Sequence, residues 1–110
     1  FLKFLRKQMA ASCVKYTDLL GKNIRKVALC GGSCGFLLRN AIAQKADIFI
    51  TADYKYHEYF DADGKIIIAD IGHFESEQYT SHRLADILTE KFATFAVHLT
   101  EVNTNPINYF

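Results

Sequence analysis

The stretch "GHFESE" places His73 and Glu77 four residues apart, directly after the apolar run 66–71. If a helix opens there, the two side chains share one face. An imidazole nitrogen and a carboxylate oxygen can then reach a single divalent ion. Two donors are half a site, because a stable one takes further ligands. The plainer alternative is capping, since carboxylates such as Glu75 and Glu77 in a first helical turn are favoured by the backbone dipole whatever the function. A second pair, Asp53 and His57, has the same spacing in "TADYKYHEY". An aspartate ending a strand can serve as an N-cap, and His57 can pack among Tyr54, Tyr56, Tyr59 and Phe60. The functional alternative makes Asp53 or His57 a catalytic proton carrier, or a residue that orients a metal ligand. His82 and His98 read as surface positions.

A third candidate is "GGSCG", residues 31–35, which fits G-x-S-x-G with Ser33 as nucleophile. Asp53 and His73 follow it in the order Ser…Asp…His. Such hydrolases need a larger sheet and an upstream oxyanion loop, and nothing upstream resembles one. The same turn can instead let a helix pack closely, or hold an anion on backbone N–H groups. It is neither G-x-G-x-x-G nor a P-loop, because no Gly-Lys-Ser/Thr follows. Cys30 and Cys34 read as small core residues rather than zinc ligands.

These residues need elements to position them. Phe1, Leu2, Phe4, Leu5 and Met9 form a helical stripe over 1–9. Cys13, Val14 and Tyr16 fit a short strand, and Gly21 a turn. "KVALC" (26–30), "DIFITAD" (47–53) and "KIIIADI" (65–71) read as strands, the last apolar on both faces and therefore central. Residues 36–46 fit a helix, and 54–64 a short helix closing at Asp63-Gly64. Residues 74–92 predict one long amphipathic helix with Tyr79, Leu84, Ile87, Leu88 and Phe92 inward. Alternation over 95–102 predicts a last strand. The order β-α-β-(α)-β-α-β gives a single α/β lobe, a mainly parallel sheet with helices packed on it. Three strands then end at "GGSCG", "TAD" and "GH", and in an open α/β sheet ligands gather beyond those ends. Ser33, Asp53, His57, His73 and Glu77 are expected to converge there.

Composition narrows the function. The chain has 110 residues, half of them apolar, enough for one core. A net charge of +1 gives no electrostatic case for nucleic acid or an anionic membrane. No apolar run reaches the length of a membrane span and no signal peptide is evident. The three cysteines, an odd number, predict reduced thiols and a cytoplasmic setting. A chain opening on Phe1, within what reads as a helix, is expected to be a piece of a longer protein.

Four segments in register, "VALCGGSCGFLL", "ADIFITADYKYHEYF", "ADIGHFESEQYT" and "EVNTNPINYF", resemble the C-terminal part of the Nif-three-like family of dinuclear metal-centre proteins. Its members often carry the label "GTP cyclohydrolase 1 type 2 homologue". The resemblance runs from about Lys26 to Phe110, and more weakly back to Phe1. It implies that residues 1–110 are one lobe of a two-lobed fold, with 1–25 re-entering after an inserted domain. It also implies ring-shaped hexamers around internal sites that hold two divalent ions (zinc, manganese or iron). In the family, ligands come from histidines and an aspartate of the N-terminal lobe and from a His-x-x-x-Glu of the C-terminal lobe. His73 and Glu77 match the latter. The family's T-G/A-D-x-K-Y-H motif corresponds to Thr51, Asp53, Lys55, Tyr56 and His57, near the metal cleft. Cys34 departs from the pattern, which more often has a small residue there. The implied activity is metal-dependent hydrolysis of a nucleotide or related small molecule. The competing expectation is a non-catalytic metal-binding protein or oligomeric scaffold. With one lobe exposed, a dimer or larger assembly is expected.

Overall fold

Ile48, Ile50 and Phe49 point alternately to the two sides of an extended segment, and Ile67, Ala69 and Ile68 do the same in the next. Both sides of each are apolar, so each must be covered on both faces. In the computed structural model, which describes Phe1–Phe110, these segments are the centre of a four-stranded sheet. The strands are β1 (Lys15–Tyr16), β2 (Val27–Leu29), β3 (Ile48–Thr51) and β4 (Ile67–Asp70), in spatial order β1-β4-β3-β2. β2, β3 and β4 are parallel, with Val27 opposite Ile48 and Ile48 opposite Ile67. β1 runs antiparallel to β4, pairing Lys15 with Asp70. The fold is therefore α/β with a mainly parallel sheet, as the sequence predicts.

Helices cover the two faces. On one, Phe49, Ile66 and Ile68 pack with Leu38 and Ala41 of α2 (Leu38–Ala43) and with Tyr54 and Ala62. On the other, Ile48, Ile50, Ile67, Ala69 and Ile71 pack with Leu5 of α1 (Leu2–Gln8). Each wholly buried isoleucine stabilises the fold by about 1.5–3 kcal/mol. A 3-10 turn, Gly35–Leu37, leads into α2, and a 3-10 helix spans Tyr56–Ala62. The latter starts where the Lys55 N–H donates to Glu58 Oε2 at 2.9 Å, and it ends in left-handed Asp63 and Gly64. At the end of α2 the Ala46 N–H donates to the Ala41 carbonyl and the Lys45 N–H to that of Ile42, a Schellman closure with left-handed Lys45.

By internal contacts the chain forms two units, Phe1–Ser76 and Glu77–Phe110. The first holds the sheet. The second holds α4 (Thr80–Lys91), followed by 92–110 without regular secondary structure. Two expectations fail here. The long helix over 74–92 is divided into α3 (His73–Glu77) and α4, with the break at Gln78-Tyr79. No glycine or proline marks that break. Tyr79, Leu84, Leu88 and Phe92 are not inward but 45–54% exposed. The strand over 95–102 does not form, because a strand needs a neighbour with which to exchange ladder hydrogen bonds, and the sheet pairs only β1 to β4. Instead the tail folds on local side-chain caps, such as the Asn105 N–H on Asn103 Oδ1.

The cysteine expectation is also corrected. Cys30 and Cys34 are joined as a disulfide, and Cys13 alone is a free, exposed thiol. The odd count hides this, because the intervening Gly-Gly-Ser turn folds back and brings the two Cα atoms to 6.0 Å, inside the span a disulfide bridges.

Candidate functional site

Three parallel strands deliver three junctions to one edge of the sheet. After β3 the chain passes buried Ala52 and enters Asp53 with φ +59°, a left-handed conformation that aspartate tolerates better than most residues. After β4, Gly72 at φ +92° turns the chain so that α3 opens on His73. The two junctions meet: His73 Nδ1 lies 2.6 Å from Asp53 Oδ2, with both side chains 48% exposed. An ionised carboxylate can only accept, so Nδ1 is the donor nitrogen and the neutral ring carries its lone pair on Nε2. This is the arrangement in which a carboxylate fixes the tautomer and orientation of a metal-ligating histidine. With both side chains about half exposed, this contact contributes at most about 1 kcal/mol to stability.

The "GGSCG" turn after β2 is the third junction. Its Gly32 N–H donates to Ser76 Oγ at 2.8 Å, and Ser76 Oγ–H donates to the His73 carbonyl at 2.8 Å. Thr51 Oγ1–H donates to the Gly32 carbonyl at 3.0 Å, and the Ala52 N–H donates to the same oxygen at 3.0 Å. The turn thus supports both the strand leading to Asp53 and the helix carrying His73. Ser33 is exposed at its tip. The Gly32 and Cys34 amides are engaged by Ser76, Thr51 and the turn itself, so they do not form an oxyanion hole. His57 stands exposed in the 3-10 helix, and Glu77 is the exposed last residue of α3. No cluster of three or more His, Cys, Asp or Glu side chains able to hold a metal is gathered in the chain.

Two acidic residues are more buried than the sequence suggests: Asp70, to which it assigns no role, and Glu75, which it reads only as a first-turn charge. Asp70, 1% exposed, ends β4 and collects four donors: Lys15 Nζ at 2.7 Å, the Gly72 N–H at 3.0 Å, the Tyr54 N–H at 3.2 Å and Tyr59 O–H at 3.3 Å. It ties the residue after Asp53 to the residue before His73. The signal was a lone carboxylate inside "IIIADI", since a buried charge must be paired. Glu75, in the first turn of α3, is the other, only 4% exposed. Burial pushes the Tyr54 hydroxyl up to about 12, with Glu58 and Asp61 adding to it. Burial, and then the charge of Asp70, raises Tyr59 well above the ordinary phenol range. Both tyrosines stay protonated near neutrality, and Tyr59 remains a donor to Asp70.

A three-stranded parallel run with a carboxylate-held histidine at its carboxyl edge defines an α/β protein with a candidate ligand-binding corner. Residues 1–106 match the Duf34/NIF3 (NGG1p interacting factor 3) family, and the chain belongs to it. A Campylobacter jejuni protein named GTP cyclohydrolase 1 type 2 homolog is 36% identical over 108 residues, 97% of this chain and 42% of that protein. A Staphylococcus epidermidis protein of the same name is 34% identical, over 99% of this chain and 31% of its own length. The chain therefore spans well under half of these relatives. Among solved structures, a Staphylococcus aureus hypothetical protein superposes with a TM-score of 0.91 at 25% identity, covering 99% of this chain and 38% of that one. A Bacillus cereus protein related to NIF3 shares the fold, with a TM-score of 0.79 at 23% identity over 99% of this chain and 31% of that one.

Proposed function

We propose that this chain supplies His73 and Glu77 as two ligands of a divalent-metal centre in a metal-dependent hydrolase acting on a nucleotide or related small molecule. The observation that carries this reading is the 2.6 Å bond from His73 Nδ1 to Asp53. It puts the lone pair of the neutral ring on Nε2 and holds the ring in one orientation, as a ligand requires. Glu77 adds an oxygen donor four residues on in the same helix. Two donors are half a ligand set, so the centre takes the rest from elsewhere in the protein or from further copies. Imidazole with carboxylate suits zinc, manganese or iron. Bound there, two such ions would activate a water and polarise a leaving oxygen. Asp53 is then the residue that orients His73. The name shared by the relatives supplies the nucleotide class of substrate. His57 gains no supporting contact as a proton carrier.

The non-catalytic reading, a metal-binding or scaffold protein, is supported by exposed apolar side chains suited to self-association: Leu29 of β2 and Phe36 of the turn that follows are 72% and 77% accessible. Calorimetric titration with zinc and with manganese tests the common claim. The expected result is binding at micromolar affinity or tighter that the His73→Ala/Glu77→Ala double variant abolishes. Binding indifferent to the substitutions would overturn it. Metal-dependent turnover of nucleotides or phosphoesters, lost in the same variant, would favour the hydrolase over the binder.

A further inference from the structure

We propose that Cys30 and Cys34 are a redox-modification site that locks the turn supporting the His73 corner. The pair is bonded across a turn of three residues, with Cα atoms 6.0 Å apart. Cys34 is 8% exposed and packs in the core with Leu38, Phe49 and Tyr54, while Cys30 at the end of β2 is partly exposed. The enclosed turn is not a free loop. Its Gly32 carbonyl accepts from Thr51 Oγ1 and the Ala52 N–H, and its Gly32 N–H reaches Ser76 Oγ, which bonds the His73 carbonyl. A cross-link here therefore acts on the connections that seat both β3 and α3. Closing a short loop removes alternative conformations of the open chain.

The chemistry needs an oxidant, and a low-molecular-weight disulfide such as oxidised glutathione suffices. The more accessible Cys30 thiolate attacks one glutathione sulfur, forming a mixed disulfide and expelling glutathione thiolate. The Cys34 thiolate then attacks the Cys30 sulfur, forming the Cys30–Cys34 bond and expelling the second glutathione. The two protons lost by the protein thiols end on the two glutathione leaving groups. Two protein thiols are oxidised and one glutathione disulfide is reduced. Exposed Cys13 lies outside this pair.

The test equilibrates the metal-free protein with oxidised or with reduced glutathione. Differential alkylation with mass spectrometry reads the thiols, and amide hydrogen exchange reads the turn and α3. The expected result is an internal Cys30–Cys34 disulfide only in the oxidised sample. Exchange in residues 31–35 and 73–76 should slow about tenfold on oxidation. A Cys13→Ser variant should behave identically. Cys30 and Cys34 remaining alkylatable after oxidation, a bond engaging Cys13, or exchange unchanged on closure would each overturn the proposal. No metal is present in either arm, so the outcome is independent of whether His73 and Glu77 bind an ion.

Discussion

Asp53 and His73, twenty residues apart in the chain, meet at 2.6 Å between a carboxylate oxygen and Nδ1 of the ring. The contact exists because β3 and β4 are adjacent and parallel, so that their carboxyl ends emerge side by side. If Asp53 fixes His73 as a ligand, then Asp53→Asn should weaken zinc or manganese binding by about 10–100-fold. It should leave thermal stability within about 1 kcal/mol, since the pair is half exposed. Equal metal affinity in wild type and variant, measured by competition with a chelator, would remove Asp53 from the site.

Asp70 is a different kind of carboxylate. It is buried, and its charge is met by Lys15 and by N–H and O–H donors from Gly72, Tyr54 and Tyr59. Replacement by alanine leaves the Tyr54 and Gly72 amides without their acceptor, and should cost about 3–5 kcal/mol in urea unfolding. Lys15→Ala removes only the partner whose side chain is 59% exposed, and should cost about 1 kcal/mol or less. Comparable losses from the two substitutions would show that the ion pair, not the hydrogen-bond network, holds this corner.

The acid limb of the stability profile should depend on Asp47. The Lys22 ammonium, 2.9 Å away, and then the Lys26 and Arg25 amides hold its carboxyl well below the usual carboxylate range. A carboxyl lowered in the folded state binds its proton later than in the unfolded chain. Its contribution is complete above the ordinary value of 3.8 and is lost as the pH falls below it. Denaturant midpoints measured from pH 6 downward should therefore drop below about pH 4, and less steeply in Asp47→Asn. Parallel profiles for the two proteins would contradict this.

Much of the sheet was legible, because strands buried on both faces leave unbroken apolar runs such as "KIIIADI". Their order and intervening helical stretches fixed the parallel arrangement, and with it the meeting of "TAD" and "GH". The tail was misread because alternation over 95–102 records a local pattern and not the presence of a pairing partner. The apolar stripe of α4 was legible, but periodicity alone cannot say that a stripe is covered. Asp53 and His57 share their spacing with His73 and Glu77, yet the contact seen at Asp53 is with His73 across two strands. No spacing rule along the chain reports such a pair. The Cys30–Cys34 bond was hidden for the opposite reason, since two cysteines so close in sequence meet only if the turn between them folds back.

The most direct test of the account is the tautomer of His73, read from the ¹⁵N shifts and long-range couplings of its ring in the metal-free protein near neutral pH. The account predicts a proton on Nδ1 in the neutral ring, shifting towards the mixed pattern of a free imidazole in Asp53→Asn. A neutral ring protonated on Nε2, unchanged by that substitution, would contradict it: Asp53 would not be holding the ring, and His73 would not be set to offer Nε2 to a metal.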